Sequence, residues 1–172
     1  MELWDIYDES RVKTGKTMER GSSFKEGEYH LVVHVCIFKS SGEMLIQQRQ
    51  PFKKGWSNMW DITVGGSATT GDTSQKAAER ELFEEIGYVF DFSQVRPHLT
   101  INFGVGFDDY YLIEADVEID KLKLQYDEVQ QVKWATKDEI IQMLEDGVFI
   151  PYYKNLIGLL FEMRKSYSAH SQ

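Results

Sequence analysis

Residues 65–88 read GGSATTGDTSQKAAERELFEEIGY, a glycine-rich loop running straight into an acidic helix. Asp72 with Gln75 three positions later has the spacing of a capping box, so the helix is predicted to start there. Nothing up to Ile86 breaks it, and Gly87 is the expected stop. On a 3.6-residue period Glu81, Glu84 and Glu85 fall within an arc of about 100°. Like charges that close destabilise an isolated helix, so something positive has to offset them. Arg80 can partner one. Two readings are then open: a solvated acidic face, which is what most charge runs are, or a divalent-cation site. Oxygen-only ligands favour Mg²⁺ or Mn²⁺, which keep several waters and are usually shared with substrate phosphates.

The spacing of the whole stretch weighs on that choice. Gly66, five residues, Asp72, seven residues, then Arg80-Glu81-Leu82-x-Glu84-Glu85-x-Gly87-Tyr88 resembles the Nudix box, Gx5Ex7REUxEExGU with U a bulky apolar residue. Every fixed position matches except Asp72, which stands where the family has Glu. The resemblance implies an α/β Nudix fold, an α/β/α sandwich around a mixed sheet. It also implies metal-dependent hydrolysis, with Mg²⁺ or Mn²⁺, of a nucleoside diphosphate linked to another group. Glu81, Glu84 and Glu85 would hold the metal, with Arg80 orienting them and Glu81 itself among the candidates for the base. Asp72 stays a candidate for a further metal contact or a base.

Length and composition bound the rest. The 172 residues suit one domain spanning residues 1–172. A net charge of −9 argues against nucleic acid or an anionic membrane as partner. One cysteine, Cys36, excludes an internal disulfide. With no signal peptide and no long apolar run, a cytoplasmic protein is expected.

From the N-terminus, residues 3–8 and 16–20 read as a β-hairpin around a polar turn ending at Gly15. Its edge could pair with a second copy, so a homodimer is among the expectations. A loop over 21–28 leads to YHLVVHVCIFK, residues 29–39, a strand apolar enough to be buried on both faces. A turn at Ser40-Ser41-Gly42 gives the next strand, 43–49. His30, His34 and Cys36 share one face of the first strand. Residues four apart on a strand lie about 13 Å apart, too far to share one ion, so the histidines read as polar members of a core.

Arg49 and Lys53 follow the second strand, where they could neutralise a diphosphate. Residues 61–65 are the strand into the catalytic loop, with Gly65 and Gly66 letting backbone approach phosphate. Strands are expected at 95–102 and 110–117, joined by a loop over 103–109 whose Asp108 and Asp109 are further metal or base candidates. Residues 129–135 form the last strand, preceded by Glu128, another candidate base. Thr136 and Glu139 make a capping box for a helix to about 146. Pro151 opens a final helix packed through Leu156, Leu159, Leu160 and Met163. Trp56, Trp60, Phe103, Phe107 and Tyr110 are candidate stacking partners for a substrate.

Outside the box, WDIYD, EYHLVVHV, the QxR stretch and NMWDIT resemble the Nudix branch related to isopentenyl diphosphate isomerase, over roughly residues 1–135. In that branch a catalytic cysteine precedes the box glycine, where this chain has Gly65. Of three metal-binding histidines only His30 is retained, with Ser23 and Ser67 at the other positions. Arg49 and Lys53 match diphosphate-contacting positions. The resemblance therefore implies a diphosphate hydrolase acting on a small molecule, with isomerase and non-catalytic ligand sensor as alternatives.

Overall fold

The computed structural model describes residues 2–171. An antiparallel hairpin comes first, formed by β1 (Leu3–Tyr7) and β2 (Lys13–Glu19). A seven-stranded mixed sheet follows, made of β3 (His30–Phe38), β4 (Met44–Arg49), β5 (Trp60–Asp61), β6 (Val64–Ser67), β7 (Leu99–Phe103), β8 (Gly106–Glu114) and β9 (Val129–Ala135). Helix α1 (Ser74–Ile86) follows β6, while α2 (Lys137–Glu145) and α3 (Lys154–Met163) come after β9. The central strand is β3. It runs parallel to β8 from His30 opposite Gly106 to Phe38 opposite Glu114, and antiparallel to β6. Strand β4 pairs with β5 and β9, and β7 pairs with β8.

The period of two along β3 builds two cores. Leu31, Val33, Val35 and Ile37 face Ala77, Ala78, Leu82 and Ile86 of α1. Cys36 and Phe38 face the other way, into a cluster with Ile140 of α2 and Ile157, Leu160 and Phe161 of α3. A helical layer therefore covers each side, and the sandwich implied by the box is the fold observed. Each fully buried aliphatic side chain here contributes about 1.5–3 kcal/mol relative to exposure.

Several boundaries differ from the sequence reading. Strand β2 begins at Lys13, so Gly15 lies inside it. The hairpin turn is closed by the Asp8 carboxylate, which accepts from Ser10 N and Val12 N at 2.9 Å each. Residues 103–109 are not a loop. Gly104 and Val105 alone make the turn, and Asp108 and Asp109 are on β8. The helix expected at Pro151 starts at Lys154. Its core residues are Ile157, Leu160 and Phe161, while Leu159 is 39% exposed. The capping box of Thr136 and Glu139 and the span of β9 are as read. Among the described residues no helix is long and apolar enough to cross a membrane.

The hairpin is tied to the rest at its turn and along its edge. Arg11 pairs with Asp109, Thr70 N donates to Leu3 O at 2.8 Å, and Gly71 N donates to the Asp5 carboxylate at 2.9 Å. This docking brings Glu2 and Arg20 beside α1.

Ahead of β7, His98 stacks on Tyr167 at 4.0 Å, and its Nδ1 accepts from Leu112 N at 3.2 Å. Burial, with Arg96 adding, pushes the imidazole down to about 4. Protonation would forfeit the Leu112 bond. A base depressed in this way contributes stability that is present above its ordinary 6.5 and lost as pH falls toward 4. The denaturant midpoint should fall across that window, and His98→Gln should flatten that part of the profile. Parallel profiles would remove His98 as the cause.

Candidate active site

Helix α1 starts one residue later than the capping-box spacing implies. Thr73 is the N-cap, accepting from Lys76 N at 3.2 Å. Asp72 is engaged elsewhere, its Oδ2 accepting from Thr69 N at 3.0 Å and from Arg80 Nε and Nη2 at 3.2 and 3.1 Å. It faces a cleft of about 600 Å³ on the outer side of α1. At the other end, Gly87 ends the helix in the left-handed conformation, φ 67°.

On the inner side of α1 lies a cavity of about 530 Å³. Glu81, Glu84 and Glu85 line it together with Arg80. Gly65 and Gly66 line it from β6, and Val32 and His34 from β3. Arg49, Lys53, Gln125 and Glu128 come from one side, Glu2 and Arg20 of the hairpin from another, and Asp61 from β5. The box glutamates and the proposed phosphate-binding cations thus share one space.

Arg80 holds the acidic group together. It donates to Glu81 at 2.7 Å, to Glu84 at 3.2 Å and to Ser67 O at 3.0 Å. Burial works against its charge, but Glu81 and Asp72 outweigh it and raise its proton affinity. Glu85 is buried and receives one bond, from Gln47 Nε2 at 2.5 Å. Burial, with the Glu81 charge adding, pushes Glu85 well above the usual carboxylate range. Glu81 is also raised by burial, partly offset by Arg80. Buried carboxylates short of positive partners are what a hard cation would satisfy. Among the described residues, no three acidic or imidazole groups already converge to hold one. In this structure Arg80 bonds Glu81 and Glu84, and Gln47 bonds Glu85. The oxygen-only donor set suits a divalent cation once those contacts are released.

Each glycine makes room for a side chain. A Cβ on Gly66 would overlap the Glu81 carboxylate, and one on Gly65 would lie 2.8 Å from His34 Nδ1. The guanidinium Nε of Arg49 is buried without a partner, and Lys53 pairs with Glu128. An entering anion would satisfy the first and compete for the second.

Other candidates lie elsewhere. Asp109 is fully buried outside the cavity, accepting from Arg11, from Ser74 Oγ at 2.5 Å and from Thr100 Oγ1 at 2.6 Å. Asp108 contacts His34 Nε2 at 3.1 Å and is not on the cavity wall. His30 is buried in an aromatic stack, 4.6 Å from Trp4 and 4.9 Å from Phe24. Phe107 and Tyr110 are core residues, whereas Trp56 is 52% exposed. Cys36 is a buried thiol whose proton affinity burial raises strongly.

Glu2, Arg20, Gln125 and Asp61 were missed by sequence reasoning. For Asp61 one signal was available: a lone carboxylate between Trp60 and the run Ile62-Thr63-Val64 needs a buried partner. Glu2 and Arg20 meet only through the hairpin register, which pairs Leu3 with Glu19.

The sequence profile of the NUDIX domain matches residues 28–153. An uncharacterized Nudix hydrolase of Listeria monocytogenes is 45% identical over 99% of both chains. An isopentenyl-diphosphate Delta-isomerase of Pectobacterium atrosepticum is 30% identical over 81% of this chain and 79% of its own. The crystal structure of DR0079 from Deinococcus radiodurans superposes with a TM-score of 0.74 at 22% identity, covering 92% of this chain and 97% of that one. That likeness establishes the fold. Nudix proteins generally use divalent metal ions. By its box, its fold and its relatives, the chain belongs to the Nudix family and is a Nudix-type hydrolase.

Proposed function

We propose that this hydrolase cleaves a diphosphate linkage in a nucleoside diphosphate-X type or related small molecule, by attack of water on phosphorus. The observation that carries the reading is the shared cavity. Glu81, Glu84 and Glu85 stand beside Arg49, whose buried Nε has no partner, and Lys53. Arg49 and Lys53 would bind the diphosphate, and Arg80 would orient Glu81 and Glu84. A Mg²⁺ or Mn²⁺ ion held by the three glutamates would neutralise phosphoryl oxygens and lower the pKa of a bound water.

The isomerase-named relative favours a second reading. Against it, Gly65 stands where that branch has its cysteine, and the chain's one thiol is buried in the opposite core. The test is phosphate or diphosphate release across nucleoside di- and triphosphates and diphosphate-linked compounds, with Mg²⁺, Mn²⁺ or EDTA. Isopentenyl diphosphate is included and followed by NMR. Metal-dependent release from one class is expected. Isomerisation without release would establish the second reading, and tight binding with no turnover would establish a sensor.

A further inference from the structure

Asp61 is a cavity carboxylate outside both the glutamate set and the phosphate-binding pair. It is 8% exposed and lines the cavity. Both of its protein hydrogen bonds fall on one oxygen: Tyr152 Oη and Ile62 N each donate to Oδ1 at 2.8 Å. Among the described residues its Oδ2 has no protein hydrogen-bond partner and is not sealed from solvent, and Asp61 lines the cavity.

The mount is rigid. Strand β5 pairs with β4 through Gln47 and Gln48, and with residues 148–150 through Trp60 N to Val148 O at 2.9 Å and Ile150 N to Trp60 O at 2.8 Å. Tyr152 follows that segment by two residues. One carboxylate oxygen is thereby clamped and the other is left as a fixed acceptor.

The other cavity carboxylates are engaged. Glu128 pairs with Lys53, and Glu81 and Glu84 pair with Arg80. Glu2 holds Trp4 Nε1 at 2.7 Å and Arg20 at 2.9 Å. Glu85 belongs to the glutamate set assigned to the cation.

We propose, resting on the hydrolase reading above, that Asp61 is the general base that takes the proton of the attacking water. In that step a water O–H bond breaks and its proton passes to Asp61 Oδ2. The water oxygen bonds to phosphorus, and the bond from phosphorus to the bridging oxygen breaks, its electron pair leaving with the departing phosphate. Asp61 later returns the proton to solvent through the cavity mouth. Tyr152 is the positioning residue.

Asp61→Asn is the decisive variant, because an amide oxygen still accepts from Tyr152 and Ile62 and the fold is kept. With the substrate class found in the panel, kcat should fall about 10²–10⁴-fold with KM within about twofold of wild type. Mn²⁺ binding, followed by electron paramagnetic resonance, should be unchanged.

Tyr152→Phe removes a donor that stabilises the charged carboxylate. The acidic limb of its kcat/KM profile should therefore move to higher pH. The groups facing Asp61 are Tyr152, His34, Arg49, Glu85, Tyr110 and Cys36, and none is altered in Asp61→Asn.

An Asp61→Asn enzyme with kcat within threefold of wild type, an effect confined to KM, or loss of Mn²⁺ binding would each overturn the assignment. If wild type itself releases no phosphate, the hydrolase reading falls and takes this step with it. Turnover by wild type with Asp61→Asn within threefold of it sinks the Asp61 step alone.

Discussion

Replacing Glu84 with glutamine should lower metal-dependent phosphate release by about 10³-fold, a loss of about 4 kcal/mol of transition-state stabilisation, while leaving the melting temperature in place. The two halves of that expectation have separate physical grounds. The Glu84 side chain is 55% exposed, and among the described residues its one protein partner is Arg80 at 3.2 Å. An exposed i,i+4 pair of this kind contributes only about 0.3–0.5 kcal/mol. Arg80 keeps Glu81 and Asp72, so the helix loses little. On the proposed reading the cavity would lose more, because an amide could not stand in for a carboxylate that holds a cation. Phosphate release with and without EDTA, beside thermal melts, measures both halves. A Glu84→Gln enzyme within tenfold of wild type would take Glu84 out of the chemistry.

Asp109→Ala should have the opposite signature, a large stability loss that reaches activity only through structure. The Asp109 side chain is fully buried, whereas Arg11 is partly exposed, 34%. Ser74 Oγ, which also contacts Tyr111 Oη at 2.6 Å, and Thr100 Oγ1 complete the set. Removing the carboxylate leaves a guanidinium and two hydroxyls with their common acceptor gone. Breaking such a group costs about 3 kcal/mol, which for a chain of this size lowers the melting temperature by roughly 6–12 °C. The hairpin turn would lose its anchor, so Glu2 and Arg20 would be held less firmly at the cavity wall. KM should rise more than kcat falls. A double-mutant cycle with Arg11→Ala isolates the pair, and a coupling energy near zero would show that the hairpin docks without it.

These residues also show where sequence reading stops. The apolar run of β3, the box helix with its glycine stop, and the Thr136–Glu139 cap are written in consecutive residues, and all are legible. So is the gathering of the box glutamates, since helical geometry puts them on one arc. Adjacent acids disfavour a strand, so Asp108 and Asp109 read as loop in the sequence. Their compensation comes from His34 and Arg11, remote in the chain, and only the assembled sheet supplies it. Asp72 has the local spacing of a cap, but Arg80 and Thr69 compete for its carboxylate and Thr73 takes the cap. The late start of α3 has a similar cause: Tyr152 is drawn to Asp61 and its N–H turns back to Ile150 O at 2.7 Å, so the helix begins only at Lys154. Asp61 offers the sequence only a lone carboxylate in an apolar run, and its partner Tyr152 and its place on the cavity wall come from the assembled fold.

The parallel pairing of β3 with β8 also sets how the molecule comes into being. Its central ladder joins His30 to Gly106 and Phe38 to Glu114, so the sheet cannot close until β8 has left the ribosome. The β1–β2 ladder and the backbone bonds within α1 are local and can form on the microsecond scale, well before the β3–β8 ladder. Refolding should therefore be slow for the chain's size, in milliseconds to seconds, with β3 exposed as an apolar strand in the interval. The face of β3 left uncovered in that interval is the apolar one, Leu31, Val33, Val35 and Ile37, which α1 later buries.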